Sequence, residues 1–474
     1  MTVPGKMLIG GEWVATDATA PVVNPYTGKP IADVCQAGAG EADAAVRAAR
    51  RAFEITRKQT AHQASSLLKR VVDGLIARKG ELIGAIVAES GKPVTFADAE
   101  VNRSIATFTV AAHEATRIGG EYLPLDAEPA GAGRFGVTKR FPIGVVLGVT
   151  PFNFPLNLVA HKVAPVLASR NTMVLKPAPQ TPLTALLLGE ILTTAGMTPG
   201  QVNIVPTGND VAESLVRDDR IAKVSFTGSA PVGWKIKSMA GMKKVTLELG
   251  GNAAAIVMAD ADLKWAVPRL VVGAYGYAGQ TCIAVQRILV HASIHDKLVR
   301  ALKKEIAARA KVGNPTNRAT MVGPMIDGNA LSRTDAWVKE AVAQGATLVT
   351  GGKRRGRCYE PTLLTGVTKS MKVVCEEAFA PVAAVQSFTT LKQAVAMVND
   401  SAFGLQVGIF TNRMDAAQTA FEECDVGGVI VNDFPTFRVD AMPYGGVKGS
   451  GLGREGVRYA IDEMTEIKVM VMGK

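Results

Sequence analysis

The feature that most constrains this chain is a change of periodicity near residue 143. Before it, residues 41–116 carry a helical pattern. Leu67, Val71 and Leu75 recur four residues apart, as do Leu68, Val72 and Ile76, which gives one broad apolar face. After it come "IGVVLGVT" (143–150), "TMVLKP" (172–177), "VNIVPTG" (202–208), "KVSFTGS" (223–229) and "KVTLELGG" (244–251). These are short apolar runs that end in Gly, Pro or Thr, and helix-like segments such as "TPLTALLLGEILTTAG" lie between most of them. Strands that alternate with helices imply a parallel sheet covered on both faces. An α/β fold is therefore expected. In such sheets ligands bind beyond the carboxyl ends of the strands, so the chemistry should sit in the turns "TPFNFP", "KPAP", "TGSAPVG" and "ELGG".

A chain of 474 residues exceeds one ordinary core, and two or three domains are expected. A second α/β pattern follows the first, with the helix "HDKLVRALKKEIAARAK" (295–311) and the strand-like "GGVIVND" (427–433). Two segments fit neither pattern: residues 120–142 and the tail 466–474. Their alternation suggests hairpin strands that reach outward to a subunit contact, because an exposed apolar edge is otherwise a liability. A plain surface hairpin is the alternative.

Composition narrows the function classes. The hydrophobic fraction of 47% and charged fraction of 20% are those of an ordinary globular protein. No long apolar run suggests a membrane span, and the N-terminus shows no secretory pattern, so a cytoplasmic protein without membrane association is expected. The net charge of +11 could attract nucleic acid or anionic metabolites. The basic residues are scattered, however, and the densest run, "GGKRRGRCY" (351–359), reads as a solvated loop. Nucleic acid is not an expected partner. The five cysteines form no CxxC pair and no zinc-spaced cluster, so neither a disulfide framework nor a metal site is expected. Cys35, Cys358, Cys375 and Cys424 read as small buried hydrophobes.

The fifth cysteine, Cys282, follows two glycines in "GQTCIAVQR" and its preceding run. As a nucleophile it would need an oxyanion donor and a base. "TPFNFP" offers the amide of Asn153 on a turn held by two prolines, and "LELGG" offers Glu248 at the end of an apolar strand. No GxGxxG follows the first strand of the sheet. Gly228 and Ser229 instead stand at a strand end with Gly233 just beyond, where a helix N-terminus can hold one pyrophosphate.

The motifs "TPFNFP", "LKPA", "SFTGS", "LELGG", "GQTC", "EEAFAP" and "PYGGVKGSGLGREG" occur in the order of the aldehyde dehydrogenase superfamily, and the resemblance spans essentially the whole chain. It implies a Rossmann-like cofactor domain (1–123 and 143–250), an α/β catalytic domain (251–461) and a β-hairpin oligomerisation element (124–142 and 462–474) of a homodimer or homotetramer. By matching motif, Cys282 resembles the nucleophile, Asn153 the oxyanion-hole residue and Glu248 the base that activates the hydrolytic water. Lys176 resembles the ligand of the adenosine ribose, and Gly228 and Ser229 the pyrophosphate turn. Glu377 and Phe379 resemble the nicotinamide-ribose ligand and its supporting aromatic. Thr150, Pro151, Phe152, Gly208, Phe226, Thr227 and Leu249 are expected around the same cofactor. Ala380 stands where the family usually has Gly, which puts that loop's shape in question. The cofactor implied is NAD, with NADP open, because Pro179 replaces a Glu that NAD-strict members often carry. A carboxylate at position 248 points to the hydrolysing rather than the CoA-acylating members.

Motif offset places Arg103, His161 and Arg438 around the substrate tunnel, with Thr281 beside the nucleophile. Two arginines and a histidine there suggest a clamp for an anionic group. The segments around His161 and Arg438 also resemble the lactaldehyde and phosphonoacetaldehyde dehydrogenase branch. The expected substrate is therefore a small anionic aldehyde, with phosphonate favoured over sulfonate or carboxylate. A semialdehyde or lactaldehyde dehydrogenase, or a non-catalytic homologue of the fold, are the alternatives.

Overall fold

The computed structural model describes residues 5–473; the first four residues of the expected cofactor domain and Lys474 of the expected hairpin lie outside them. The expected α/β layering is present. Strands Val145–Val149, Thr172–Lys176, Val202–Ile204, Ile221–Thr227 and Lys244–Glu248 run parallel. Their spatial order is third, second, first, fourth, fifth. The order reverses between Val145–Val149 and Ile221–Thr227, and a crevice opens at such a switch point. Thr150–Asn153 leave the first of these strands and Gly228–Ser229 leave the second. The helix Asn157–Ala168 is buried at every position. It is covered by the helices Ala61–Ala77 and Val94–Glu114, which explains why its sequence is apolar apart from Asn157, His161 and Lys162.

The helical pattern of 41–116 appears as four helices, Ala39–Thr56, Ala61–Ala77, Lys79–Ser90 and Val94–Glu114. Leu67, Leu68, Val71 and Leu75 are buried, but Ile76 is 56% exposed. The apolar face is narrower than its sequence suggests, because Ile76 turns to solvent in the last turn. The second sheet is parallel through Thr362–Thr365, Val382–Phe388, Arg287–His291, Ala254–Val257, Gln406–Phe410 and Gly428–Val431. The helix His295–Arg309 occupies the expected place in sequence.

Two boundaries differ from the sequence expectation. The strand Gly451–Leu452 pairs antiparallel with Lys244–Glu248, so the expected catalytic segment 251–461 returns to the first sheet. Only glycine fits there, since a Cβ at Gly451 would lie 2.3 Å from the Leu247 carbonyl oxygen. The outward sheet also begins earlier than 124: Tyr122–Leu123 pairs with Phe135–Pro142, which pairs in turn with the tail strand Thr465–Met472. Ile467, Val469, Met470 and Val471 on that edge strand are each more than half exposed. Cys375 is a third difference. It is exposed rather than buried, at the end of the short helix Lys372–Cys375. Among the described residues no helix is long and apolar enough to cross a membrane, and no group of three or more His, Cys, Asp or Glu side chains is placed to hold a metal ion.

The turn that carries Asn153 is anchored by a buried ion pair. Lys92 and Glu100 are bonded to each other and fully buried. Glu100 also accepts the backbone N–H groups of Leu156 (2.9 Å) and Asn157 (3.1 Å). The Lys92 ammonium lies 3.6 Å from the Phe154 ring centroid and 4.5 Å from that of Tyr277. Burial pulls the Lys92 pKa down to about 8, against the pull of Glu100. Glu100→Ala should therefore strand a buried cation and two backbone donors, at a cost of about 3–5 kcal/mol. A thermal midpoint within a degree or so of the parent's would overturn this.

Candidate active site

A cavity of about 540 Å³ lies at the switch point, where the first sheet meets the second. Asn153, Glu248 and Cys282 all line it. Three distant segments thus deliver the expected nucleophile, amide and carboxylate to one space.

The approach to Cys282 is strained. After the helix Leu263–Tyr275 the chain takes left-handed conformations at Tyr277 (φ 51°), Ala278 (φ 55°) and Gly279 (φ 65°). A Cβ at Gly279 would lie 2.2 Å from the Ala380 carbonyl oxygen, so glycine is required for both reasons. The Asn153 amide donates to the Gln280 carbonyl (3.1 Å), while its Oδ1 has no hydrogen-bond partner among the described residues. The Gln280 side chain is tied to the Pro324 carbonyl (3.2 Å) and the Ile326 N–H (2.9 Å). The half-buried Cys282 thiol lies 3.0 Å from the Tyr444 hydroxyl. Burial pushes its pKa up to about 11; the Tyr444 bond pulls the other way.

Glu248 ends the strand Lys244–Glu248, and neither of its buried carboxylate oxygens has a hydrogen-bond partner among the described residues. Burial, and then the nearby Glu455 carboxylate, hold its pKa well above the usual carboxylate range. Glu455 behaves oppositely. Burial would raise it too, but Lys162, His161 and Arg438 outweigh burial and keep it ionised. The Lys162 ammonium bonds Glu455 (3.1 Å) and the hydroxyls of Ser225 (3.1 Å) and Thr227 (2.8 Å).

The other side of the cavity suits a dinucleotide. Pro151, Phe152, Thr227, Gly228, Ser229, Leu249, Glu377 and Phe379 line it. Ser229 caps the helix Ala230–Met239 without a side-chain hydrogen bond to it, which leaves the first-turn N–H groups available to an anion. A Cβ at Gly228 would lie 2.5 Å from the Phe226 ring, and one at Gly250 would lie 2.2 Å from the Glu377 carboxylate. Glu377 accepts from the Gly251 N–H (3.0 Å) and has its pKa raised to about 7 by burial. Phe379 adopts φ 48° and meets Phe152 edge-on at 5.8 Å. Ala380 is not in a left-handed conformation, so the loop accepts its methyl group; the strain falls on Phe379 instead. Thr150, Lys176, Gly208 and Phe226 do not line the cavity. Lys176 nevertheless ends the neighbouring strand, in register with Val149, and its carbonyl accepts the Thr150 N–H (3.2 Å). Burial lowers the Lys176 pKa. Gly208 starts the helix Asn209–Arg217.

Arg103, His161 and Arg438 do come together, but around carboxylates of the chain itself. Asp440 accepts from Arg103 (2.8 Å) and lies 2.8 Å from His161 Nε2. Arg438 donates to Glu455 (3.2 Å) and lies 3.6 Å from the Tyr444 ring centroid. None of the three lines the cavity, and neither does Thr281. A set of free cations is thus corrected to a paired cluster, since bare charges at this depth would be costly. Burial, and then the Arg438 charge, lower the His161 pKa, against the bond to Asp440. Asp440 is held well below the usual range: burial opposes this, but His161 and Arg103 prevail. The Nε of Arg103 and of Arg438 have no partner among the described residues.

Sequence reasoning missed Tyr444 and Gln280, although both lie in quoted motifs. It also missed Ile326, Asp327, Asn329, Ala330 and Arg333, which close the cavity from the start of the helix Gly328–Ala343. No local pattern marks that segment, and only the packing of the second sheet brings it here.

A model of the aldehyde dehydrogenase family matches residues 13–470. The chain belongs to this family. It is 42% identical to the 3-sulfolactaldehyde dehydrogenase of Priestia aryabhattai over 98% of this chain and 97% of that protein. The crystal structure of aldehyde dehydrogenase 21 from Physcomitrella patens, in complex with the reaction product succinate, superposes with a TM-score of 0.97 at 44% identity, covering 99% of this chain and 98% of that one. The NADP-dependent glyceraldehyde-3-phosphate dehydrogenase of Bacillus halodurans, complexed with NADP, gives a TM-score of 0.96 at 35% identity over 99% of both chains.

Proposed function

We propose that this enzyme oxidises a short aldehyde bearing a phosphonate, sulfonate or carboxylate to the corresponding acid, with NAD or NADP as oxidant. The observation that carries the hydrolytic reading is Glu248. A buried carboxylate with both oxygens unpartnered, facing the same cavity as a thiol, is a costly arrangement for structure and a useful one for a base.

The chain's own groups account for most of the reaction. The Cys282 sulfur, as thiolate, attacks the aldehyde carbon. A C–S bond forms and the carbonyl π electrons move to oxygen, where the Asn153 amide and the Cys282 N–H stabilise the charge. The dinucleotide, when bound, supplies the two-electron acceptor that converts this adduct into a Cys282 thioester. Gly228, Ser229 and the helix start behind them would hold its pyrophosphate, Lys176 the adenosine ribose and Glu377 the nicotinamide ribose. Glu248 then takes a proton from water as the water oxygen adds to the thioester carbon. The C–S bond breaks, and the sulfur leaves as thiolate. Because the Glu248 pKa is raised, this step should speed up as pH rises through that pKa.

Pro179 is exposed and places no carboxylate beside Lys176, which supports use of NADP as well as NAD. The exposed apolar tail strand supports a homodimer or homotetramer. For the substrate, Arg103, Arg438 and Lys162 stand against Asp440 and Glu455, while Glu248 is held toward its neutral form. This cluster therefore holds three cations against two carboxylates. The similarity to a sulfolactaldehyde dehydrogenase and to a succinate-bound enzyme agrees with an anionic substrate.

The test is a panel of phosphonoacetaldehyde, succinate semialdehyde, lactaldehyde and propanal, each with both cofactors. The anionic members should be preferred. Arg103→Ala should raise KM for them by about ten- to a hundredfold, the scale of one charge-assisted contact. Propanal should be little affected. If propanal is preferred, or all substrates weaken equally, Arg103 is structural.

A further inference from the structure

We propose that Tyr444 is a further catalytic residue: its hydroxyl donates to the Cys282 sulfur and stabilises the thiolate for attack, with Arg438 stacked on the ring behind it. The proposal rests on the reading of Cys282 as the nucleophile. Its basis is geometric. The Tyr444 oxygen lies 3.0 Å from the Cys282 sulfur, and the guanidinium carbon of Arg438 lies 3.6 Å from the centroid of the same ring.

The phenol is held rigidly. The Tyr444 N–H donates to the Glu455 carbonyl (3.0 Å) and the Glu455 N–H donates back to the Tyr444 carbonyl (2.7 Å). The Glu455 side chain in turn accepts from Arg438 (3.2 Å), so backbone, ring and cation form one unit. Ile283 and Leu405 pack with Tyr444 in a small apolar cluster. Phenylalanine would fill the same space, so packing alone gives no reason for the oxygen.

The chemistry favours donation by the phenol. A thiolate can only accept, and a hydrogen bond to an ionised acceptor is roughly twice as strong as a neutral one. A cation over the ring face draws electron density from the phenol and makes it a better donor. The charged groups that act on the sulfur are Glu377 and Glu248, which oppose the thiolate, and Arg438, which favours it. Burial keeps the Tyr444 pKa well above its ordinary value, so the hydroxyl stays protonated, and able to donate, throughout the working range.

The experiment measures iodoacetamide alkylation of Cys282 against pH in the full-length enzyme, followed by peptide mass spectrometry with neither aldehyde nor dinucleotide present. In Tyr444→Phe the profile should move to higher pH. The rate near neutrality should fall by about ten- to a hundredfold, the value of one hydrogen bond to a charged group, and the two profiles should converge at high pH. A purely structural role would not produce that convergence. Coincident profiles, or faster alkylation of Tyr444→Phe, would overturn the proposal. Should Tyr444→Phe fold poorly, Arg438→Lys decides. It keeps a positive charge but loses the planar stack, and its profile should move the same way by a smaller amount; no movement would overturn the proposal. The outcomes separate from those for the nucleophile itself. Turnover surviving in Cys282→Ala would remove the underlying reading, whereas an inactive Cys282→Ala beside coincident alkylation profiles would remove Tyr444 alone.

Discussion

Cys282→Ala is expected to abolish aldehyde oxidation while leaving dinucleotide affinity unchanged. Loss of the nucleophile in a covalent mechanism costs on the order of 10⁶-fold, because the remaining groups have nothing to act on. The cofactor face should survive the change. Gly228, Ser229, Glu377 and Phe379 are positioned by their own strand ends and loops rather than by the thiol. Among the described residues the Cys282 side chain bonds only the Tyr444 hydroxyl, so its removal disturbs little packing. Fluorescence titration with NADH and NADPH, beside an aldehyde assay, checks both halves. Measurable turnover in the variant would show that another group attacks the substrate.

Glu248→Gln carries the second large effect, and it separates the two halves of the reaction. The amide keeps the shape of the carboxyl group but cannot take a proton from water. Acylation should still give a burst of reduced cofactor close to one equivalent per active site. Hydrolysis should then fall by about 10²–10⁴-fold, the usual contribution of a positioned base. Stopped-flow absorbance gives the burst, and mass spectrometry of quenched enzyme should find the acyl group on Cys282. The pH dependence is a second check. Burial and Glu455 raise the Glu248 pKa, so steady-state turnover in the parent should climb with pH through that value, and this limb should vanish in the glutamine variant. If steady-state rates match the parent's, the water is activated elsewhere. The Lys162–Glu455 pair beneath Glu248 would be the first place to look.

Much of this protein is legible in its sequence alone. The alternation of short apolar runs with helical segments determined a parallel α/β sheet, because strands buried on both faces must be apolar throughout. Strand ends then marked the turns that carry the chemistry, and Cys282, Asn153 and Glu248 do meet in one cavity. Motif order was enough to identify the family across the chain. Offset alone also brought Arg103, His161 and Arg438 to one place.

The tertiary structure decided what those residues face. From sequence the three cations looked free. Their partners, Asp440 and Glu455, lie in the neighbouring "RVDAMPYGG" and "GREG" segments, but nothing local says which arginine reaches which carboxylate. Glu248 and Glu455 are both buried carboxylates, yet their pKa values move in opposite directions. Direct ion pairs with Lys162 and Arg438 keep Glu455 charged, and among the described residues no hydrogen-bond partner reaches the Glu248 carboxylate. Gly451 returns to the first sheet only because its missing Cβ lets it lie against Leu247. Periodicity records which face of an element is buried. Charge pairing and close backbone approach depend on distances between segments far apart in the chain, and those exist only once the two sheets have packed.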